Sequence, residues 1–275
     1  PGSTAAWAGT VKQLQQRKLW GHAFALEAAS DAAHVVLPDD KVVLRSLPAT
    51  RGMACFGYVA VAPTRRAAWQ RVYEALQDGS ATVRRDCARA LNTASPLGAP
   101  ASVTKTLRTM LDDADDQVAA AAVNAAAAQG VVVSSKVVTG LAQHRSVAVR
   151  AAVAHQRSWL QAGSNAAALT ALRNDREPAV RVQLATNSAA LQALLADPDA
   201  NVRAAAARAA TDPAQVTPLL TDSQANVRYE AQRTQALKLG TAVRPQVLNS
   251  IAAAADGSLP QVQAAATYWA VLPGQ

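Results

Sequence analysis

The chain has 275 residues, half of them hydrophobic but only 4% aromatic, and a formal charge of +8 from 27 Lys+Arg against 19 Asp+Glu. No stretch approaches the ~20 apolar residues that would span a bilayer, and two cysteines, Cys55 and Cys87, make neither a disulfide framework nor a C-x-x-C metal pair. Alanine dominates the apolar share, which favours thin, closely packed helices that bury little as pairs and gain from a neighbour on both sides, hence a stack rather than a globule.

Residues 1–3 (Pro-Gly-Ser) read as an expression-vector remnant, so a signal peptide could have been removed and the compartment, cytoplasmic or exported, stays open. Residues 4–62 are expected to form a helical segment with an irregular connection. Trp7, Val11, Leu14, Phe24 and Leu26 suit one or two amphipathic helices ending near Pro38. The following DDKVVLRSLPATRGMACFGYVAVAP reads either as a loop with a short strand or as a degenerate repeat whose turn is PDDKVVLR. TRRAAWQRVYEALQ is clearer: Trp69, Val72, Tyr73 and Leu76 at i, i+3, i+4 and i+7 predict one helix face.

From there a motif recurs: an aspartate, a polar spacer, valine and arginine. It appears as DGSATVR (Asp78 to Arg84), DREPAVR (Asp175 to Arg181), DPDANVR (Asp197 to Arg203) and DSQANVR (Asp222 to Arg228). Weaker copies are DADDQVA (Asp113 to Ala119), HRSVAVR (His144 to Arg150) and DGSLPQVQ (Asp256 to Gln263). The valine anchors are Val83, Val118, Val149, Val180, Val202, Val227 and Val262, spaced by 35, 31, 31, 22, 25 and 35 residues, which are lengths of helix pairs. An apolar helix precedes each anchor and an alanine-rich one follows. Asn201 and Asn226 are expected as N-caps, and Pro178 suits a first turn.

This pattern resembles the HEAT repeat family, whose units pair two antiparallel helices across a turn with an aspartate and a valine-arginine pair. The resemblance implies an all-α, right-handed alpha-alpha superhelix: a HEAT-like repeat solenoid of about seven units over residues 63–275, with a less regular helical part before it. The 22- and 25-residue units look like the leucine-rich-repeat variant, in which one helix shrinks to a turn.

Two columns of side chains follow. The residues after the valines (Arg84, Ala119, Arg150, Arg181, Arg203, Arg228, Gln263) are expected to pair with aspartates of adjoining turns as an ion-pair ladder. Six residues after each valine stand Arg89, Asn124, His155, Thr186, Arg208, Arg233 and Tyr268, one turn from the second position and off the buried face. With Arg85, Arg157, Trp159 and Tyr229 they form either a binding strip or a solvated helix face. The binding candidates are therefore Arg89, His155, Arg157, Trp159, Arg208, Tyr229, Arg233 and Tyr268. Trp269 reads as an end cap, and LDDADDQ as helix N-terminal carboxylates, since it lacks the glycine and glutamate of a calcium loop.

No catalytic motif, metal set or cofactor fingerprint occurs, and the four histidines are scattered at 22, 34, 144 and 155. Two functions remain. One is a non-catalytic scaffold that binds a protein or peptide partner along its concave face. The other is nucleic-acid binding, including a similarity to HEAT-like DNA alkylpurine glycosylases, for which the basic charge speaks and the lack of an acid beside HQRSW speaks against.

Overall fold

The computed structural model describes residues 48–63, 66–92, 96–160 and 165–239. Those residues are helical and contain no strand. The chain divides into two compact units, the first ending at Trp159 and the second beginning at Leu160.

In the first unit the helices are α1 (Pro48–Val61), α2 (Arg66–Ala75), α3 (Ala81–Leu91), α4 (Ala101–Thr109), α5 (Asp116–Ala128), α6 (Ser135–Ala142) and α7 (Val147–His155), with a 3-10 turn at Met110–Asp112. α1 packs on α3, α3 on α5 and α5 on α7, so the helices after the turns form a continuous row. α2 contacts α4, and α4 and α6 pack on the helices that follow them. The sequence explains the closeness of the row. α5 reads DQVAAAAVNAAAA and buries Val118, Ala119 through Val123, Ala125 and Ala126, and side chains this small let helices approach on two sides. α5 ends at Gly130, whose φ of +68° is costly for other residues; its N–H reaches Ala127 O and that of Val131 reaches Ala126 O, satisfying the last carbonyls.

In the second unit the helices are α8 (Ala166–Arg173), α9 (Pro178–Gln183), α10 (Ser188–Leu194), α11 (Ala200–Ala209), α12 (Pro213–Val216) and α13 (Ala225–Leu239). Here α9 packs on α11 and α11 on α13. The helices shorten as the 22- and 25-residue spacings require. α9 has six residues and runs into a 3-10 turn at Leu184–Thr186, and α12 has four before another at Thr217–Thr221.

Six valine anchors lie within the described residues. Val83 is 1% exposed and Val118, Val149, Val180, Val202 and Val227 are 0% exposed, each burial contributing about 1.5–3 kcal/mol. Pro178 is the first residue of α9. The caps differ from expectation. Asp199 caps α11, its carboxylate accepting from the N–H groups of Asn201 and Val202, so Asn201 lies inside the helix; Asn226 likewise lies within α13. Asp115 caps α5 in the same way. At α11 the charge of Asp199 also meets the helix dipole.

The segment left open as loop or repeat contains α1. Residues 4–47, the anchor Val262, Tyr268 and Trp269 lie outside the described residues.

Candidate functional site

The turns are the most regular feature. In each, the aspartate Oδ1 accepts the backbone N–H two residues on: Ser80 to Asp78 at 2.8 Å, Asp115 to Asp113 at 3.0 Å, Glu177 to Asp175 at 2.9 Å, Asp199 to Asp197 at 2.8 Å and Gln224 to Asp222 at 2.8 Å. This is an Asx turn, a local geometry that aspartate supplies cheaply. His144 fills the same role in its turn: its Nδ1 accepts the Ser146 N–H at 3.1 Å.

The arginine after each valine folds back on its own turn. Nη1 donates to the carbonyl of the motif's first residue, from Arg84 to Asp78 at 2.8 Å, Arg150 to His144 at 2.9 Å, Arg181 to Asp175 at 2.7 Å, Arg203 to Asp197 at 2.8 Å and Arg228 to Asp222 at 2.7 Å. The opposite edge of the guanidinium forks onto the next turn's aspartate. Arg84 grips Asp113 through Nε and Nη2 at 2.8 and 2.9 Å. Arg181 grips Asp197 at 2.7 and 2.8 Å, and Arg203 grips Asp222 at 2.8 and 2.9 Å. Arg51 joins the ladder from α1, holding Asp78 at 3.0 and 2.9 Å. Bidentate charge-assisted contacts of this kind fix register as well as energy.

The electrostatics agree. Burial pushes the Asp78, Asp113 and Asp197 carboxyls up, but the arginine forks, the turn N–H groups and the neighbouring charges outweigh it and hold each below the ordinary range. For Asp222 the Arg203 hydrogen bond is the largest influence, and its carboxyl too is lowered.

One rung is missing on both sides. Ala119 stands where an arginine would reach the next turn, and that turn carries His144 in place of the aspartate. A looser pair spans this junction, Arg145 to Asp116 at 3.5 Å, with side-chain exposures of 80% and 35%.

The outward column is where its spacing put it. The fourth and fifth positions after each anchor are buried on every described post-turn helix, whereas Arg89, His155, Thr186 and Arg208 at the sixth are exposed and Asn124 and Arg233 are half-buried. In the second unit the structure brings together Arg208 from α11 with Tyr229, Glu230 and Arg233 from α13. Arg208 Nη2 donates to Glu230 Oε1 at 2.6 Å, and Arg233 Nη1 lies 3.5 Å from Oε2. Glu230 is 7% exposed, and its Oε2 has no hydrogen-bond partner. The carboxylate raises the Arg208 guanidinium further, and burial, followed by the Glu230 charge, raises the Tyr229 hydroxyl.

The first unit repeats the device with Asp86, which holds Arg85 at 2.9 Å and Arg89 at 3.6 Å through one oxygen. These carboxylates, three residues after Val83 and Val227, escaped sequence reading because the other described anchors carry alanine or glutamine there.

His155 and Arg157 are exposed near the end of α7, while Trp159 is only 8% exposed and belongs to the core. Tyr268 lies outside the described residues. Cys55 and Cys87 are both free thiols and both buried. The second unit also has an open groove of about 370 Å³ along the turn side, lined by Arg173, Asn174, Pro198 and the rung Arg181–Asp197. Among the described residues no three His, Cys, Asp or Glu side chains converge on a metal position, and no helix is long and apolar enough to cross a membrane.

No protein-family model matches the chain, and no curated protein matches it in sequence.

Proposed function

We propose that this chain is a HEAT-like repeat scaffold, a right-handed alpha-alpha superhelix whose post-turn helices present the outward column to a protein or peptide partner, without a catalytic step of its own. What supports this most is the neutralisation of the column's arginines. Arg208 and Arg233 share Glu230, and Arg85 and Arg89 share Asp86. A strip made for the phosphate backbone gains affinity from unpaired cations that release counterions, and an acid at the base of each pair works against that. Paired guanidiniums with spare donors beside a tyrosine suit peptide carbonyls and side chains, where geometry matters more than net charge.

The test has two arms. In the first, peptides are selected on the full chain from a displayed library and their affinity is compared across variants. Replacing Tyr229 and Arg233 by alanine should weaken binding roughly tenfold or more, whereas alanine at the exposed Arg145, off the column, should not. In the second arm the chain is titrated with duplex and single-stranded DNA at low salt. Binding should be absent; a log-log salt slope of several units that falls on replacing Arg208 by alanine would establish nucleic acid as the ligand instead.

A further inference from the structure

The Cys55 and Cys87 thiols face each other across the α1–α3 contact, both 0% exposed. Cys87 Sγ–H donates to Val72 O at 3.7 Å, and the Cys55 side chain stands close enough to Cys87 to push its thiol up. The helices are unusually close here. At Gly52, one turn before Cys55, a Cβ would stand 2.9 Å from the Asp86 Cβ, and Asp86 is the residue before Cys87. Two cysteines on helices that approach this tightly fall within the reach of a disulfide, which needs Cβ atoms about 3.5–4.5 Å apart.

Cys55 also lines a cavity of about 50 Å³ with Arg51, Tyr58, Arg71, Glu74 and Asp78. A water needs roughly 10–15 Å³ of such space, so a molecule of peroxide size fits and a protein oxidoreductase does not.

We propose that Cys55 and Cys87 are a peroxide-reactive dithiol, with Cys55 the residue oxidised first and Cys87 the residue that resolves it into an intramolecular disulfide. The Cys55 sulfur attacks one oxygen of hydrogen peroxide. The O–O bond breaks, the sulfur is oxidised by two electrons to a sulfenic acid, and the departing hydroxide leaves as water with the thiol's proton. The Cys87 sulfur then attacks the sulfenic sulfur. The S–S bond forms, the S–O bond breaks, and hydroxide leaves as a second water with the Cys87 proton. Two thiols and one peroxide thus give one disulfide and two waters. Burial, then the adjoining Cys55 thiol and the Asp86 carboxylate, push the Cys87 thiol well up, which suits it to the second role: a thiol of little thiolate character makes a poor first nucleophile.

The experiment uses the full chain, fully reduced and then treated with hydrogen peroxide, quenched, denatured and labelled with a maleimide. The wild type should become two hydrogens lighter and lose both labels, recover them with dithiothreitol, and melt at a higher temperature when oxidised. Cys87→Ser should give a Cys55 sulfenic acid that dimedone traps, while Cys55→Ser should leave Cys87 reacting roughly tenfold more slowly or less. Retention of both labels in the peroxide-treated wild type overturns the proposal whatever the variants do. Dimedone capture at Cys87 rather than Cys55 overturns the order of attack.

Discussion

The same arginine fork spans 27 and 29 residues in the first unit and 16 and 19 in the second. Helix length is therefore what varies between the two units, and turn chemistry is what stays. A preceding helix can shrink to the four residues of α12 and a 3-10 turn, provided that an Asx turn, a valine anchor and an arginine reach the same places. The first unit tolerates one absent rung, at Ala119 and His144, among helices of eight residues or more. The rungs of the short second unit are the better buried, with side-chain exposures of 10% and 6% for Arg181–Asp197 against 19% and 10% for Arg84–Asp113.

Acid should break the comparison most, because it removes every rung at once. The ladder carboxyls are depressed in the folded chain, so their stabilisation is present above the ordinary carboxylate pKa and is lost as pH falls through the folded values. Urea midpoints followed by circular dichroism should hold steady above pH ~5 and fall steeply below pH ~4. A flat profile across that range would show that the rungs set register and contribute nothing to stability.

Next in size are single rungs. Arg181→Ala strands the buried Asp197 and should cost about 3 kcal/mol, whereas Arg84→Ala, at the more exposed rung, should cost about 2 kcal/mol by the same urea measurement. An equal or reversed order would mean that burial does not distinguish the two units.

The missing rung can be built. Ala119→Arg alone crowds a buried position and should destabilise, but with His144→Asp the pair should recover a coupling of about 1 kcal/mol in a double-mutant cycle. A coupling of zero would show that positions 119 and 144 are not the ladder's register. Smallest of all, His144→Asn keeps an acceptor for the Ser146 N–H and should change stability by less than about 0.5 kcal/mol, against about 1 kcal/mol for His144→Ala.

Much of this was legible in the residues. Valine anchors, the arginine ladder and the outward sixth position follow from spacing, because a repeated turn puts the same residue in the same environment each time. What escaped did so where a residue departs from its column. Arg51 was missed because SLPATR has a threonine where REPAVR has the valine, and an arginine, Arg45, where the motif has its aspartate. Asp86 and Glu230 were missed because each is a single instance, and only the fold shows two arginines meeting on each of them. The cap of α11 was displaced by two residues, from Asn201 to Asp199, because asparagine and aspartate carry similar N-cap preference and the two are separated only by where the first helical turn closes.

The ladder also bears on how such a chain grows. Each rung joins the arginine of one turn to the aspartate of the next, so a stretch cut from anchor to anchor contains one donor and one acceptor. Duplicated or excised whole, it leaves neither orphaned, whereas a cut elsewhere strands a guanidinium or a carboxylate. Only the gain or loss of a whole unit leaves every rung of the ladder paired. Ala119 and His144, where donor and acceptor are absent together, mark the junction at which a foreign segment could be inserted without that penalty.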